Sequence, residues 1–171
     1  LNAISQDYIC LRCADQGRTC CSPGIFPEMV YFPVSETEAS RLPEGAEKFL
    51  RREANAPNFI QTMNRLFPRQ SQRTLELFPP QGEHLTVALD AAGVCAFLDK
   101  NGCWLPVQDR PWYCRLFPFW VINRQIHCFQ DQACLAIKEN SSLTPLFRLF
   151  GVTRNEILEF HTRLSRDWGF A

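Results

Sequence analysis

Apolar and polar positions alternate in a readable way only from Val34 onward, and the elements follow from that rhythm. Ser35 with Glu38 forms a capping box that opens a short helix, and Pro43 stops it or starts a second helix over roughly 44–55. A third helix is expected over 58–67, with Pro57 at its mouth and Pro68 at its end. The stretch 69–81 is polar and punctuated by prolines, which predicts a surface segment. Leu85, Val87 and Leu89 alternate, Asp90-Ala91-Ala92-Gly93 turns, and the apolar run resumes over 94–98, so a hairpin is predicted. A turn at Asp99-Lys100-Asn101-Gly102 leads into Cys103. A second hairpin is predicted from 117–122 and 125–129, turning at Asn123-Arg124. The tail reads as helical. Thr144-Pro145 opens one segment and Gly151 closes it. Thr153 with Glu156 caps the last helix, whose apolar face is Ile157, Phe160, Leu164 and Trp168.

Residues 1–24 break this rhythm. They carry four cysteines, no period, and a turn-like Ser22-Pro23-Gly24 at the end, which predicts a loop organised by metal. No repeat, linker or low-complexity tract divides the chain. The expectation is one small α+β domain over 1–171, with a metal-organised N-terminal loop, two short antiparallel β-ribbons and several helices. Its metal-binding core would cover about 10–134, and its helical tail 141–169.

With 171 residues the chain can bury a core without disulfide staples. Its formal net charge of +0 speaks against non-specific nucleic-acid binding, which needs a basic surface. No apolar run approaches the roughly 18 residues of a membrane span, and no membrane partner is expected. Leu1-Asn2-Ala3-Ile4-Ser5-Gln6-Asp7 lacks the basic and apolar blocks of a secretion signal, so a cytoplasmic location is expected. Nine cysteines then stand out. An odd count suits a disulfide framework poorly, and in a reducing compartment clustered thiols point to metal or redox chemistry.

Cys10-Leu11-Arg12-Cys13 has the spacing of a metal knuckle, because two intervening residues let both sulfurs turn to one ion. Cys20 and Cys21 are adjacent, and successive side chains diverge in extended backbone. They share one site only through a tight bend; otherwise they serve two sites, or one is not a ligand. Cys95, Cys103, Cys114 and Cys134 supply further candidates at turns and element ends. Cys128 reads differently: it falls opposite Phe119 on the face of Val121 and Ile126, so it is expected as a small core hydrophobe. Arg12, Arg18, Arg110 and Arg115 flank the cysteines and could lower their pKa and donate to sulfur, unless they are ordinary surface charge. Arg12 and Arg115 are the candidates for contact with a bound centre. The histidines are weak ligands: His161 lies on a helical apolar face, His127 points away from Cys128, and His84 has no ligand partner nearby. No phosphate loop, dinucleotide fingerprint, nucleophile elbow or His-Glu-x-x-His motif occurs. The tryptophan-rich region of Trp104, Trp112 and Trp120 is expected to pack around the cysteines rather than stack on bases.

Cys10-x-x-Cys13-x6-Cys20-Cys21, Cys95-x-Phe97-Leu98-Asp99, Asn101-Gly102-Cys103 and Arg110-Pro111-x-x-Cys114-Arg115-x-Phe117-Pro118 resemble the YkgJ-type cysteine-cluster family. Its members are described as zinc- or iron-chelating proteins with about eight shared cysteines, and Cys134 looks like the last of them. The chain departs from the family in three respects. Ala14 stands where a glycine often follows the second cysteine, the gap before Cys20 is longer, and Leu135-Ala136 replaces a common Pro-Gly. The resemblance implies metal binding, and flagellin lysine methylases with a similar cysteine region hint at an iron–sulfur centre.

The expected ligands are Cys10, Cys13, Cys20, Cys21, Cys95, Cys103, Cys114 and Cys134, holding a 4Fe-4S cluster or Zn2+, since both accept four thiolates. An iron centre would allow electron transfer or redox sensing. The alternatives are a zinc-fixed module that docks a protein partner, or an oxidoreductase or methyl-transfer component that uses the cluster.

Overall fold

The computed structural model describes residues 9, 12–13, 21, 33–99, 102–129, 134–140 and 142–171. The first helix, α1 (Glu36–Ala39), is capped as its sequence predicts. Glu38 N–H donates to Ser35 Oγ at 3.1 Å, while Ser35 N–H and Oγ–H both donate to Glu38 Oε2 at 2.9 Å.

The helix expected over 44–55 does not form. Gly45 turns at φ +81°, a 3-10 turn covers Glu47–Phe49, and β1 (Leu50–Ala54) runs antiparallel to β2 (Glu83–Val87), with Leu50 opposite Val87 and Ala54 opposite Glu83. The Leu-Arg-Arg-Glu-Ala run favours helix locally, but helix propensity is a weak preference that a neighbouring strand edge overrides. α2 (Pro57–Leu66) starts with Pro57 in its first turn and buries Phe59, Met63 and Leu66 on one face. Within the stretch expected to be surface, α3 (Ser71–Leu77) forms around a buried Thr74, whose hydroxyl donates to Gln70 O at 3.1 Å. Its signal is weak because it has no apolar stripe, and Leu75 is exposed.

The 85–98 hairpin survives only as a bridge. The neighbour of β2 is β1, and Leu89 meets Cys95 alone across a turn in which Asp90 Oδ1 accepts from the Ala92 and Val94 N–H groups. β3 (Leu98–Asp99) pairs with β4 (Gly102–Cys103). β5 (Phe119–Ile122) pairs with β6 (Gln125–Cys128), and Asn123 and Arg124 both turn at positive φ, as the two-residue hairpin requires. The described residues therefore form three two-stranded sheets rather than two ribbons. Two short helices had no periodic signal: α4 (Trp112–Leu116) and α5 (Leu135–Glu139). The tail folds as expected into α6 (Leu143–Phe150), closed by Gly151 at φ +63°, and α7 (Arg154–Asp167), capped by Thr153 and Glu156. Seven helices and three antiparallel ribbons among the described residues make this a mixed α+β chain.

The core gathers where α7 lies on α4 and β5. Ile157 and Leu164 of α7 are sealed, as are Leu116 and Phe119 opposite them. Trp120 Nε1–H donates to Leu66 O at 2.6 Å, which fastens β5 to the end of α2. Glu38 is the polar centre of this packing. It is only 4% exposed, and its second oxygen, Oε1, accepts the Trp112 N–H at 2.6 Å, while Oε2 also accepts Trp168 Nε1–H at 2.9 Å. One carboxylate thus caps α1, starts α4 and holds the end of α7.

Removing one partner of a buried charge-assisted network strands the others. Glu38→Ala should therefore cost about 3 kcal/mol or more. Ser35→Ala, which loses only the local cap, should cost about 1 kcal/mol. Urea unfolding of both variants measures the difference, and equal losses would mean that the two tryptophan contacts contribute nothing.

Candidate metal centre

Cys10, Cys20 and Arg18 lie outside the described residues. The seven other cysteines are thiols rather than disulfides, and their electrostatic coupling falls into two sets. The first joins Cys21, Cys95, Cys103 and Cys114. Cys95 N–H donates to Cys21 O at 2.7 Å, and the two side chains are themselves hydrogen-bonded. Cys21 is half-buried in a turn, whereas Cys95 is 6% exposed at the Leu89 bridge. Cys103 ends β4 opposite Leu98, where its sulfur accepts the Leu105 N–H. Cys114 lies inside α4, two residues after the Trp112 N–H that Glu38 holds.

Four local structures thus bring these thiols within electrostatic reach of one another. The tight Asp90–Val94 turn presents Cys95, the β3–β4 ribbon presents Cys103, and a backbone bond clamps the Cys21 turn to Cys95. The Pro106 and Pro111 corners then return the chain so that α4 offers Cys114. Arg110 braces this return, its Nε–H donating to Leu105 O at 3.0 Å and its Nη2–H to Cys103 O at 3.4 Å.

The shifts of these thiols have physical causes. The Cys21 side-chain hydrogen bond and burial hold the Cys95 thiol far above its ordinary pKa. Burial raises Cys103, with the Arg110 guanidinium opposing it, and burial with the neighbouring thiols of Cys21 and Cys103 raises Cys114. These three thiols therefore keep their protons at neutral pH, and any ion that bound there would have to displace them.

The second set joins Cys13, Cys134 and Cys128. Cys134 precedes α5, and the sulfur of Cys13 accepts the N–H of Leu135 at the start of that helix. Burial raises the Cys13 thiol while that bond lowers it. Arg12 fixes the approach with a two-pronged pair to Glu139, at 2.6 and 3.2 Å. Cys128 lies opposite Phe119 as its sequence position predicts, but it is half-buried, and burial with the nearby Cys134 pushes it up to about 11.

Among the described residues, no three His, Cys, Asp or Glu side chains are already arranged to grip one ion. The donor chemistry itself is all sulfur, which suits zinc or iron–sulfur and suits hard cations poorly. Of the two candidate arginines, Arg12 stands beside Cys13. Arg115 instead packs its guanidinium on Phe160 at 4.0 Å and on Trp112 at 4.8 Å from the ring centres. Arg110 is the guanidinium that acts on Cys103 and Cys114. The tryptophans divide as well. Trp104 packs edge-on against Phe97 and Phe49 beside the first set, whereas Trp112 and Trp120 belong to the α7 core.

The histidines stand apart from both sets. His84 stacks on Phe59 with centroids 3.6 Å apart and pairs with Asn55, and His127 is exposed opposite Trp120. His161 sits edge-on to Trp120 at 4.9 Å, its Nε2 without a hydrogen-bond partner among the described residues. No family model matches the chain, and no curated protein or solved structure matches it.

Burial lowers His161 to about 4. Above the unfolded value of about 6.5 both states are neutral. As pH falls from there towards 4, the unfolded chain takes up a proton that the folded chain refuses, so stability is lost on acidification. His161→Phe should flatten that part of the stability–pH curve by on the order of 2 kcal/mol. Denaturant titrations between pH 7 and 4 test this, and an unchanged slope would count against a buried neutral imidazole.

Proposed function

We propose that this chain binds a metal centre through cysteine thiolates, as an iron–sulfur cluster or as zinc, in the manner the YkgJ-type resemblance implies. One observation carries the reading: Cys21 is hydrogen-bonded to Cys95 and lies within electrostatic reach of Cys103 and Cys114, although more than seventy positions of sequence separate it from the nearest of them. Four thiols from four separate local structures are poor economy for a core, which a single valine or leucine fills better. They suit an ion that accepts four sulfurs. The Cys21 and Cys95 sulfurs, joined by a hydrogen bond, need little movement to reach the roughly 3.8 Å edge of a tetrahedron with ~2.3 Å zinc–sulfur bonds, and Cys103 and Cys114 would close in on them as the ion binds.

The second set extends the reading. Cys13 and Cys134 are again far apart in sequence, and they come within electrostatic reach of each other at the start of α5. With Cys10 three positions before Cys13 and Cys20 directly before Cys21, the eight cysteines of the resemblance would be drawn to two places in one domain. An iron–sulfur occupant gives the protein electron-transfer or redox chemistry, and a zinc occupant gives it a fixed fold.

Anaerobic purification, metal analysis and an absorption spectrum test the reading. A brown protein with a broad band near ~400 nm identifies iron–sulfur, and a colourless one carrying stoichiometric zinc identifies zinc. Cys114→Ser should lose bound metal in either case, and Cys128→Ser should lose less. A protein that takes up neither metal, with all thiols reduced, would overturn the proposal.

A further inference from the structure

Within the first thiol set one pair differs from the others. Cys21 and Cys95 are joined twice, by the backbone bond from Cys95 N–H to Cys21 O at 2.7 Å and by their side chains. A direct backbone hydrogen bond holds the two residues at about the separation that a disulfide bridges, whose α-carbons lie roughly 4.4–6.8 Å apart. Cys103 and Cys114 sense Cys21 through space, and neither has a direct backbone hydrogen bond to it among the described residues. The pair is also unequal in access: Cys21 is half-buried in a turn, and Cys95 is sealed.

We propose that Cys21 and Cys95 form a peroxide-sensitive disulfide switch, with Cys21 as the sulfur attacked and Cys95 as the resolving thiol. In the first step the sulfur of Cys21, having given up its proton, attacks one oxygen of hydrogen peroxide. An S–O bond forms, the O–O bond breaks, and the second oxygen leaves as water once protonated. In the second step the sulfur of Cys95 attacks the sulfenic sulfur of Cys21. The S–S bond forms, the S–O bond breaks, and a second water leaves with the Cys95 proton. Two thiols lose two electrons in total, and one peroxide accepts them.

Closing the disulfide takes two donors from the first set. It leaves Cys103 and Cys114, too few to hold a four-sulfur centre, so oxidation would release the occupant. That consequence rests on the metal reading above; the pairing itself rests on the thiol geometry alone. The bland account is that two neighbouring thiols share a hydrogen bond and do nothing else. It predicts no preference for this pair over the other cysteines.

Peptide mapping by mass spectrometry discriminates between them. The full chain, both as purified and after chelation, is exposed to hydrogen peroxide, alkylated and digested. A Cys21–Cys95 crosslink as the dominant product is the expected result. In Cys95→Ser a sulfenic-acid trap should label Cys21, while in Cys21→Ser Cys95 should stay unlabelled. Crosslinks from Cys95 to Cys20, Cys103 or Cys114 instead, or no crosslink in either sample, would overturn the proposal. If the crosslink forms in a chain that never held metal, the pairing stands and the metal reading fails. If the as-purified protein holds metal and neither sample crosslinks, the metal reading stands and the switch fails.

Discussion

A single buried carboxylate organises this molecule. Glu38 accepts from Ser35 N–H and Oγ–H, from Trp112 N–H and from Trp168 Nε1–H, and these donors come from the start of α1, the start of α4 and the end of α7. A carboxylate out of water is costly unless its lone pairs are filled, and here each oxygen is. The arrangement is directional in a way that apolar packing is not. It fixes α4 both in position and in rotation about its axis, and α4 is the helix that carries Cys114. The geometry of the first thiol set therefore depends on a group that is not a thiol and lies on another helix.

Around that anchor, α7 collects charge and aromatic surface together. Trp112 Nε1–H donates to Asp167, which also pairs with Arg41 at 2.9 Å. Three guanidinium groups, those of Arg41, Arg115 and Arg163, lie within 5.4 Å of the Trp112 ring centre. Arg41 and Arg163 have carboxylate partners in Asp167 and Glu159, while Arg115 rests on aromatic faces. Burial and the neighbouring Arg163 lower its pKa, and Glu159 and Glu156 oppose that only in part. Arg115 follows Cys114 directly in sequence and yet serves the opposite side of α4. Adjacent residues on a helix point about 100° apart, so neighbours in sequence can belong to different sites.

That divergence marks the limit of what was legible in the sequence. Caps and turns are written locally, so Ser35–Glu38, Thr153–Glu156, the Asn123-Arg124 hairpin and Gly151 could each be read from a few residues. The register of Cys128 against Phe119 followed from the two-residue turn in the same way. The 50–54 segment could not be read like this, because its strand exists only when β2 lies beside it. Nor could the second use of Glu38, because a capping-box glutamate looks the same whether its other oxygen meets water or a tryptophan. A signal did exist. Buried indole N–H groups require acceptors, and a chain with four tryptophans must supply them from somewhere. For the cysteines, spacing gave the candidates, but their division into two sets needed three dimensions.

The division has a physical logic of its own. Eight thiolates in one place would repel strongly, and no guanidinium nearby could neutralise them all. Among the described residues the thiols fall into two sets, each beside its own arginine, Arg110 for the first and Arg12 for the second, so each guanidinium faces only a few sulfurs. The first set is also braced by the α1–α4–α7 network through Glu38, whereas the second hangs on the start of α5 and the Arg12–Glu139 pair, which is exposed. Exposed ion pairs contribute at most about 1 kcal/mol, so the second set is the looser of the two. Fewer fixed contacts hold it in place than hold the first.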